Sequence, residues 1–500
     1  MAAAIRTNSP RKPLGFTMKT HEPRPSRRSF VRFAAGAAIA PFAIGGTKAS
    51  GRILGANDTI RVAVAGINSR GGAHIDEFAK MKGVQVTYLV DPDSRLFKSR
   101  AESVKSRGGN VPKAVQDIRR ALEDKDIDVV SVATCNHWHS LITIWACQAG
   151  KDVYVEKPLS HNIHEGRIAL DVARKHGRIV QHGTQNRSSK GVARDVAAAQ
   201  SGKYGKLLVS KGYCHKPRWS IDTKPVTSPP EGFDFNIWLG PAPEQPFHGN
   251  LVHYNWHWFW DFGNGDIGNQ GVHQIDIARW AIKDATLPKS VVSFGGRYGY
   301  VDQGQTPNTL MTVFDFGDVK LVFETLGLVE GKSHAKGRVD HEFFTEQGRI
   351  TGGKFYPSGG GPPERLADVP PIEVHDGGHF GNFINAVRSR RHDELNADIK
   401  EAHYSSALCH LANASYRVGN ELSYADARKQ LNADAHTAEL FGKMVFNLFN
   451  GNDINVEAEQ IRIGPVLKFD PATEKFIDNP LANDLLTRKY RPPFVVPEKA

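Results

Sequence analysis

The run Gly150-Lys-Asp-Val-Tyr-Val-Glu156-Lys157-Pro158-Leu-Ser160 ends a short apolar strand on an acid, a base and a proline. Proline fixes its own backbone and lacks an N–H, so regular structure stops and Lys157 is left at the strand's carboxyl end. Ligands of an open parallel α/β sheet bind at that end, so a cation there is placed for chemistry. A second cluster, Gly66-Ile67-Asn68-Ser69-Arg70-Gly71-Gly72, joins an earlier apolar strand to a helix, and Val90-Asp91 closes the next strand. Glycines in such a turn let backbone amides approach a pyrophosphate at a helix N-terminus, and an acid further on accepts bonds from ribose hydroxyls. Asn68 stands where the second glycine is expected; it tolerates a left-handed backbone but makes the approach less close. Asp91, 25 residues after Gly66, favours NAD over NADP because a carboxylate repels the 2′-phosphate. Ser131-Val-Ala-Thr134-Cys-Asn136-His137-Trp-His139 brings a third polar cluster to a strand end. His137 and His139 have no third ligand spaced nearby, so a cofactor rather than a metal is expected there.

These clusters need strands that all end at one sheet edge. From Thr59 the chain alternates apolar runs with helix-like stretches: 60–65, 84–90, 127–133, 153–155 and 179–180. This is the signature of a doubly wound parallel sheet, expected over residues 57–183. Beyond Gly183 the texture changes to β-like runs at 291–300, 310–316 and 320–326, broken by Gly- and Pro-rich loops such as 356–363. An α+β domain with a large, mainly antiparallel open sheet is expected over 184–450, with an amphipathic helix at 402–418. Residues 451–500 form a C-terminal extension expected to pack on both domains.

Five hundred residues with 40% apolar content suffice for two cores. The formal charge of +11 sits mostly in residues 1–50, where nine Lys or Arg face one Glu, leaving about +3 for the rest. That is too little for a nucleic-acid footprint, and no nucleic-acid partner is expected. Ser26-Arg27-Arg28-Ser29-Phe30-Val31-Arg32, followed by a weakly apolar stretch, reads as a twin-arginine (Tat) export signal. The stretch 33–46 contains Pro41 and is too short to span a bilayer. A periplasmic location and the Tat export machinery as partner are therefore expected. The four cysteines are scattered, which argues against a zinc ribbon or a disulfide framework.

The Gly66 turn, Asp91, Thr134-x-Asn136-x-x-His139, Glu156-Lys157-Pro158 and Gly183-Thr-Gln185-Asn-Arg187 occur in an order that resembles the Gfo/Idh/MocA oxidoreductases. That is the family of glucose-fructose oxidoreductase and inositol dehydrogenase. The resemblance implies a nicotinamide held by the first domain near Lys157, with Ser69, Arg70, Gly71 and Gln185 among the cofactor contacts. It implies a sugar or polyol between the domains, with Arg187 on the substrate side, and an open sheet that can serve as a homo-oligomer interface. It also implies a motif G-x-x-x-D-x-G-x-H-x-x-D, read here as Gly265-Asp-Ile-Gly-Asn269-Gln-Gly-Val-His273-Gln-Ile-Asp276. The central Asp is Asn269, and an amide accepts no proton at neutral pH, so acid–base work is expected of His273 with Lys157. An imidazole's ordinary pKa suits that task, and Asp276, three residues on, can orient the ring if the segment is helical. On a strand, Trp256, Trp258 and Trp260 share one face, where they could stack on a pyranose or serve as core.

The resulting expectation is a nicotinamide-dependent oxidoreductase acting on a sugar, glycoside or polyol, with tightly held NAD because free dinucleotide is scarce outside the cytoplasm. A redox-neutral, NAD-dependent glycoside hydrolase or lyase is the alternative, and a non-catalytic sugar-binding protein is a third reading.

Overall fold

A computed structural model describes residues 58–329 and 337–500. The expected export signal lies outside the described residues. Six parallel strands form the first sheet: β1 (Ile60–Ala65), β2 (Val84–Val90), β3 (Lys113–Val115), β4 (Val129–Val132), β5 (Asp152–Val155) and β6 (Val180–His182). Their order is β3-β2-β1-β4-β5-β6. The sheet reverses direction of growth between β1 and β4, and the crevice outside the strand ends at such a point is where a ligand sits.

Alternation along β1 explains the two layers around this sheet. Ile60, Val62 and Val64 point to one face and join Phe78 of the helix Ser69–Ala79. Ala63 and Ala65 point to the other and join Leu141 and Ile144 of the helix Asn136–Gln148. Chain far beyond residue 183 completes both layers. Phe380 and Phe383 of the helix Gly378–Ser389 enter the first cluster, and Phe494 of the C-terminal extension enters the second, edge-on to Trp138.

The second sheet carries β7 (Leu207–His215), β8 (Ser290–Gly296), β9 (Thr309–Asp315), β10 (Lys320–Leu326), β11 (Val339–Thr345), β12 (Gly348–Thr351), β13 (Lys354–Pro357), β14 (Glu364–Arg365), β15 (Asn420–Leu422) and β16 (Ile461–Ile463). The order is β14-β13-β12-β11-β7-β10-β9-β8-β16-β15, with β17 (Leu467–Asp470) also on β8 and β18 (Lys475–Phe476) on β17. Its pairings are antiparallel except β7 with β10, so the sheet is mixed but mainly antiparallel, as expected. One face packs on the helices Val272–Ala281 and Ile399–Arg417. The other is covered around Phe294, Met311 and Val313 by Leu440, Phe441 and Met444 of the helix Ala435–Asn452. This part of the sheet therefore meets its own chain. Among the described residues no helix is long and apolar enough to cross a membrane.

Candidate active site

Lys157 leaves β5 through Glu156 and is followed by a cis Lys157–Pro158 peptide. The turn is fastened on two sides. The Pro158 carbonyl accepts from His139 Nδ1 at 2.6 Å, and the Leu159 amide donates to Ser406 Oγ at 2.9 Å. Asn162 then caps the next helix by accepting from the Glu165 amide at 3.0 Å, while Glu165 accepts from the His161 amide at 2.9 Å.

Glu156 is buried and collects donors. Its Oε1 accepts from Arg70 Nε at 2.7 Å and from His74 Nε2 at 3.1 Å, and its Oε2 lies 3.3 Å from the Lys157 amide. Burial opposes its charge, but the His74 bond and the Arg70 guanidinium prevail and hold its carboxyl well below the usual range. A Cβ on Gly183 would come within 2.8 Å of Glu156 Oε2, so a side chain there displaces the carboxylate. Lys157 itself is pushed down by burial, with Glu156 pulling the other way. Its Nζ donates to the Asn269 carbonyl at 2.6 Å and lies 3.4 Å from Asn269 Oδ1.

Asn269 belongs to a π-helical turn, Ile267–Gly271, that runs into the helix Val272–Ala281. Four residues on, His273 shares its face, and both line one cavity of about 380 Å³. Burial first, then the Lys157 charge, lowers His273 to about 3, and its Nδ1 has no partner. The ring is thus neutral, unlike the near-neutral titrating group expected.

The far end of the same cavity holds the Gly66 turn. Gly66 has φ +77°, and a Cβ there would lie 2.6 Å from the Ala133 backbone. Asn68 is extended (φ −81°) rather than left-handed; the left-handed non-glycine is Ser69, at φ +34°. Asp91 Oδ2 accepts from the Ile67 amide and Oδ1 from the Asp93 amide, both at 2.9 Å. Burial pushes its carboxyl up against those two bonds. Each oxygen retains a lone pair for another donor.

Ten of the eleven other expected cofactor contacts join Lys157 in lining this cavity: Gly66, Asn68, Ser69, Arg70, Asp91, Thr134, Asn136, His139, Glu156 and Gln185. Gly71 does not; a Cβ on it would meet the Gly66 carbonyl at 1.7 Å, so its part is to let helix and turn touch. His139 faces two carbonyls, and burial keeps the ring neutral, so its single N–H serves the shorter Pro158 bond.

Several expected substrate contacts fall elsewhere. Arg187 Nε meets both Asp276 carboxylate oxygens at 2.9 Å, and Ser405 donates to Asp276 at 2.6 Å. Asp276 therefore holds Arg187 and does not orient His273, because Arg187 and Ser405 take up its carboxylate. The tryptophan run is not a strand. Asn255–Trp258 is a 3₁₀ turn, drawn up by Trp256 Nε1 on the His253 carbonyl and His257 Nδ1 on the Tyr254 carbonyl. Trp256 lines the cavity and stacks on His257, Trp258 is core, and Trp260 faces a separate cavity beside Arg417. The turn also brings in His253, Tyr254 and His257, which the alternating pattern concealed.

The residues fit a nicotinamide dinucleotide. The helix Ser69–Ala79 begins at the cavity without a side-chain cap, leaving its positive end for an anion, and the buried Asn136 Oδ1 there lacks a partner. A doubly wound sheet with this turn, an acid just after β2 and a lysine just after β5 defines a dinucleotide-binding fold. Residues 60–184 match the model of the Gfo/Idh/MocA oxidoreductase family's NAD-binding Rossmann fold, and 192–297 that of its C-terminal α/β domain. Over these residues the chain is similar to the Gfo/Idh/MocA oxidoreductase family.

A glycosyl hydrolase family 109 protein of Shewanella pealeana is 27% identical over 191 residues, 36% of this chain and 41% of that protein. A levoglucosan dehydrogenase of Pseudarthrobacter phenanthrenivorans is 25% identical over 253 residues, 47% of this chain and 57% of that one. The matches thus span about two- to three-fifths of the relatives' lengths. Among solved structures, GenD2 from gentamicin A biosynthesis in complex with NAD aligns with TM-score 0.52 and 17% identity, covering 72% of this chain and 95% of that one. The WlbA dehydrogenase of Bordetella pertussis, in complex with NADH and UDP-GlcNAcA, aligns with TM-score 0.52 and 16% identity, covering 72% and 97%. These two show a shared fold.

Proposed function

We propose that this protein oxidises a sugar, glycoside or polyol with NAD held tightly in the Rossmann cleft. The observation that carries this is convergence: Lys157 and His273, from different domains, line the same cavity as the Gly66 turn and Asp91. NAD is favoured over NADP because Asp91 presents a carboxylate, which attracts ribose hydroxyls and repels a phosphate. Bound NAD supplies a hydride acceptor. Neutral His273 lines the cavity and offers a ring nitrogen to a substrate hydroxyl proton, while Lys157 favours negative charge developing on that oxygen. Arg70 and His74 keep Glu156 ionised behind the lysine, so the lysine's charge is balanced without any contact to substrate.

A redox-neutral glycoside hydrolase is the second reading, favoured by the relatives described as a glycosyl hydrolase family 109 protein and an alpha-N-acetylgalactosaminidase. The same residues then take the proton, and the hydride returns after the aglycone leaves. Screening purified protein against sugars and aryl glycosides separates the two. Lasting growth of the near-ultraviolet band of reduced nicotinamide marks a dehydrogenase; aglycone release without net reduction marks a hydrolase.

Export by the twin-arginine route to the periplasm belongs to the same proposal, since a folded enzyme can carry its cofactor out. Denatured protein should release close to one dinucleotide per chain; an empty, weakly binding site in freshly purified protein would refute tight retention.

A further inference from the structure

Asn269 is joined on both sides of its amide. Lys157 approaches Oδ1 at 3.4 Å, and Nδ2 donates to the Tyr254 phenol oxygen at 3.1 Å. The chemistry fixes that orientation: an ammonium has only hydrogens to offer, so the amide oxygen faces it and the NH₂ faces the tyrosine. Arg218 reaches the same phenol oxygen through Nη1 at 3.4 Å, its Nε and Nη2 being occupied by Asp266. Tyr254 thus receives two N–H groups, which take both acceptor positions of its oxygen. Its own O–H has no protein acceptor among the described residues, and the side chain, 48% exposed, lines the cavity beside Asn269 and His273.

We infer that Tyr254 is a substrate-binding hydrogen-bond donor, directed at an oxygen of the sugar or polyol, and that Asn269 is the positioning residue that sets its polarity. An aspartate at 269 would present only acceptors, so the phenol would turn its hydrogen to that carboxylate and away from the cavity. The amide reverses the bond. What Asn269 forgoes as a proton acceptor, it supplies as a donor that keeps the Tyr254 hydrogen available to substrate.

This inference rests on the carbohydrate reading of the cleft, which turnover by the wild-type holoprotein tests separately. The experiment compares Tyr254→Phe and Asn269→Asp with wild type, all carrying bound dinucleotide, using levoglucosan and p-nitrophenyl N-acetyl-α-D-galactosaminide as probes. Tyr254→Phe should weaken binding of the accepted probe about tenfold without loss of bound dinucleotide. Asn269→Asp is isosteric, so a merely spatial role survives it; the inference requires a similar loss at neutral pH. Recovery should follow as pH falls, because a protonated carboxyl again donates to Tyr254. The double variant should lose little more than either single one. Wild-type affinity in Tyr254→Phe would overturn the donor assignment, and a pH-independent, wild-type Asn269→Asp would overturn the role of the amide.

Discussion

Lys157 Nζ donates to the main-chain carbonyl of Asn269 at 2.6 Å, which ties the end of β5 to the turn that starts the helix carrying His273. A backbone acceptor does not depend on the residue type at 269. The lysine is therefore held at the cleft whether that side chain is Asp or Asn, and the substitution alters what faces Tyr254 more than it alters where Lys157 sits.

Lys157→Met should retain bound dinucleotide but lose turnover by at least about a hundredfold, since a charge at the reacting oxygen is removed while the Gly66 turn and Asp91 remain. Cofactor content by absorbance and single-turnover rates check this. Full activity in the variant would remove the lysine from the mechanism.

Gly71→Ala places a methyl 1.7 Å from the Gly66 carbonyl, so the turn must open. A stability loss of about 1–3 kcal/mol is expected, together with protein purified free of dinucleotide. Thermal unfolding of the apo and reconstituted variant reads both effects; a variant that keeps its cofactor and its midpoint would show that the contact is relieved cheaply.

Asp276→Asn leaves buried Arg187 with a weakened partner; Glu401 remains 3.3 Å from its Nη2. Breaking a buried pair costs about 3–5 kcal/mol in general, and Glu401 should reduce that here. Because Asp276 is on the His273 helix, turnover should fall along with the unfolding midpoint. Activity lost with the midpoint unchanged would instead argue that Asp276 works on the histidine directly.

Acid should destabilise the fold well above the carboxylate range. Burial lowers His137, His182 and His410 to about 3, as it does first for His273. Between about pH 3 and 6.5 the unfolded chain binds protons that these folded rings refuse, so stability rises with pH and is lost as pH falls through about 6.5. Each ring contributes up to about 1.4 kcal/mol per pH unit in that window. Glu156, held low, adds loss of the same sign only further down. Unfolding midpoints from pH 7.5 to 5 should decline, and His182→Gln should flatten the decline. A flat wild-type profile would mean that the rings titrate normally.

The cleft was legible to the extent that its parts are local. Asp91, Asn136, Glu156 and Lys157, each just beyond a strand, reach one sheet edge because short apolar runs fix the strands and parallel winding aligns their ends. Arg187 was misread because its partner lies 89 residues away, and an arginine bound to substrate looks the same in sequence as one bound to an aspartate. The tryptophans were misread because side-chain bonds to neighbouring carbonyls made a tight turn from a pattern that alternates like a strand. Tyr254 carried no signal beyond its place in that run.

By itself the sequence determined the two sheets, the dinucleotide turn and the lysine at a strand mouth, since each follows from patterning within a few residues. The tertiary structure decided what those groups face. It set Asn269 against Tyr254 as a donor, gave Asp276 to Arg187, and made His273 a neutral ring. All three depend on partners that only the folded chain brings together, and a group's proton affinity and hydrogen-bond direction are properties of those surroundings.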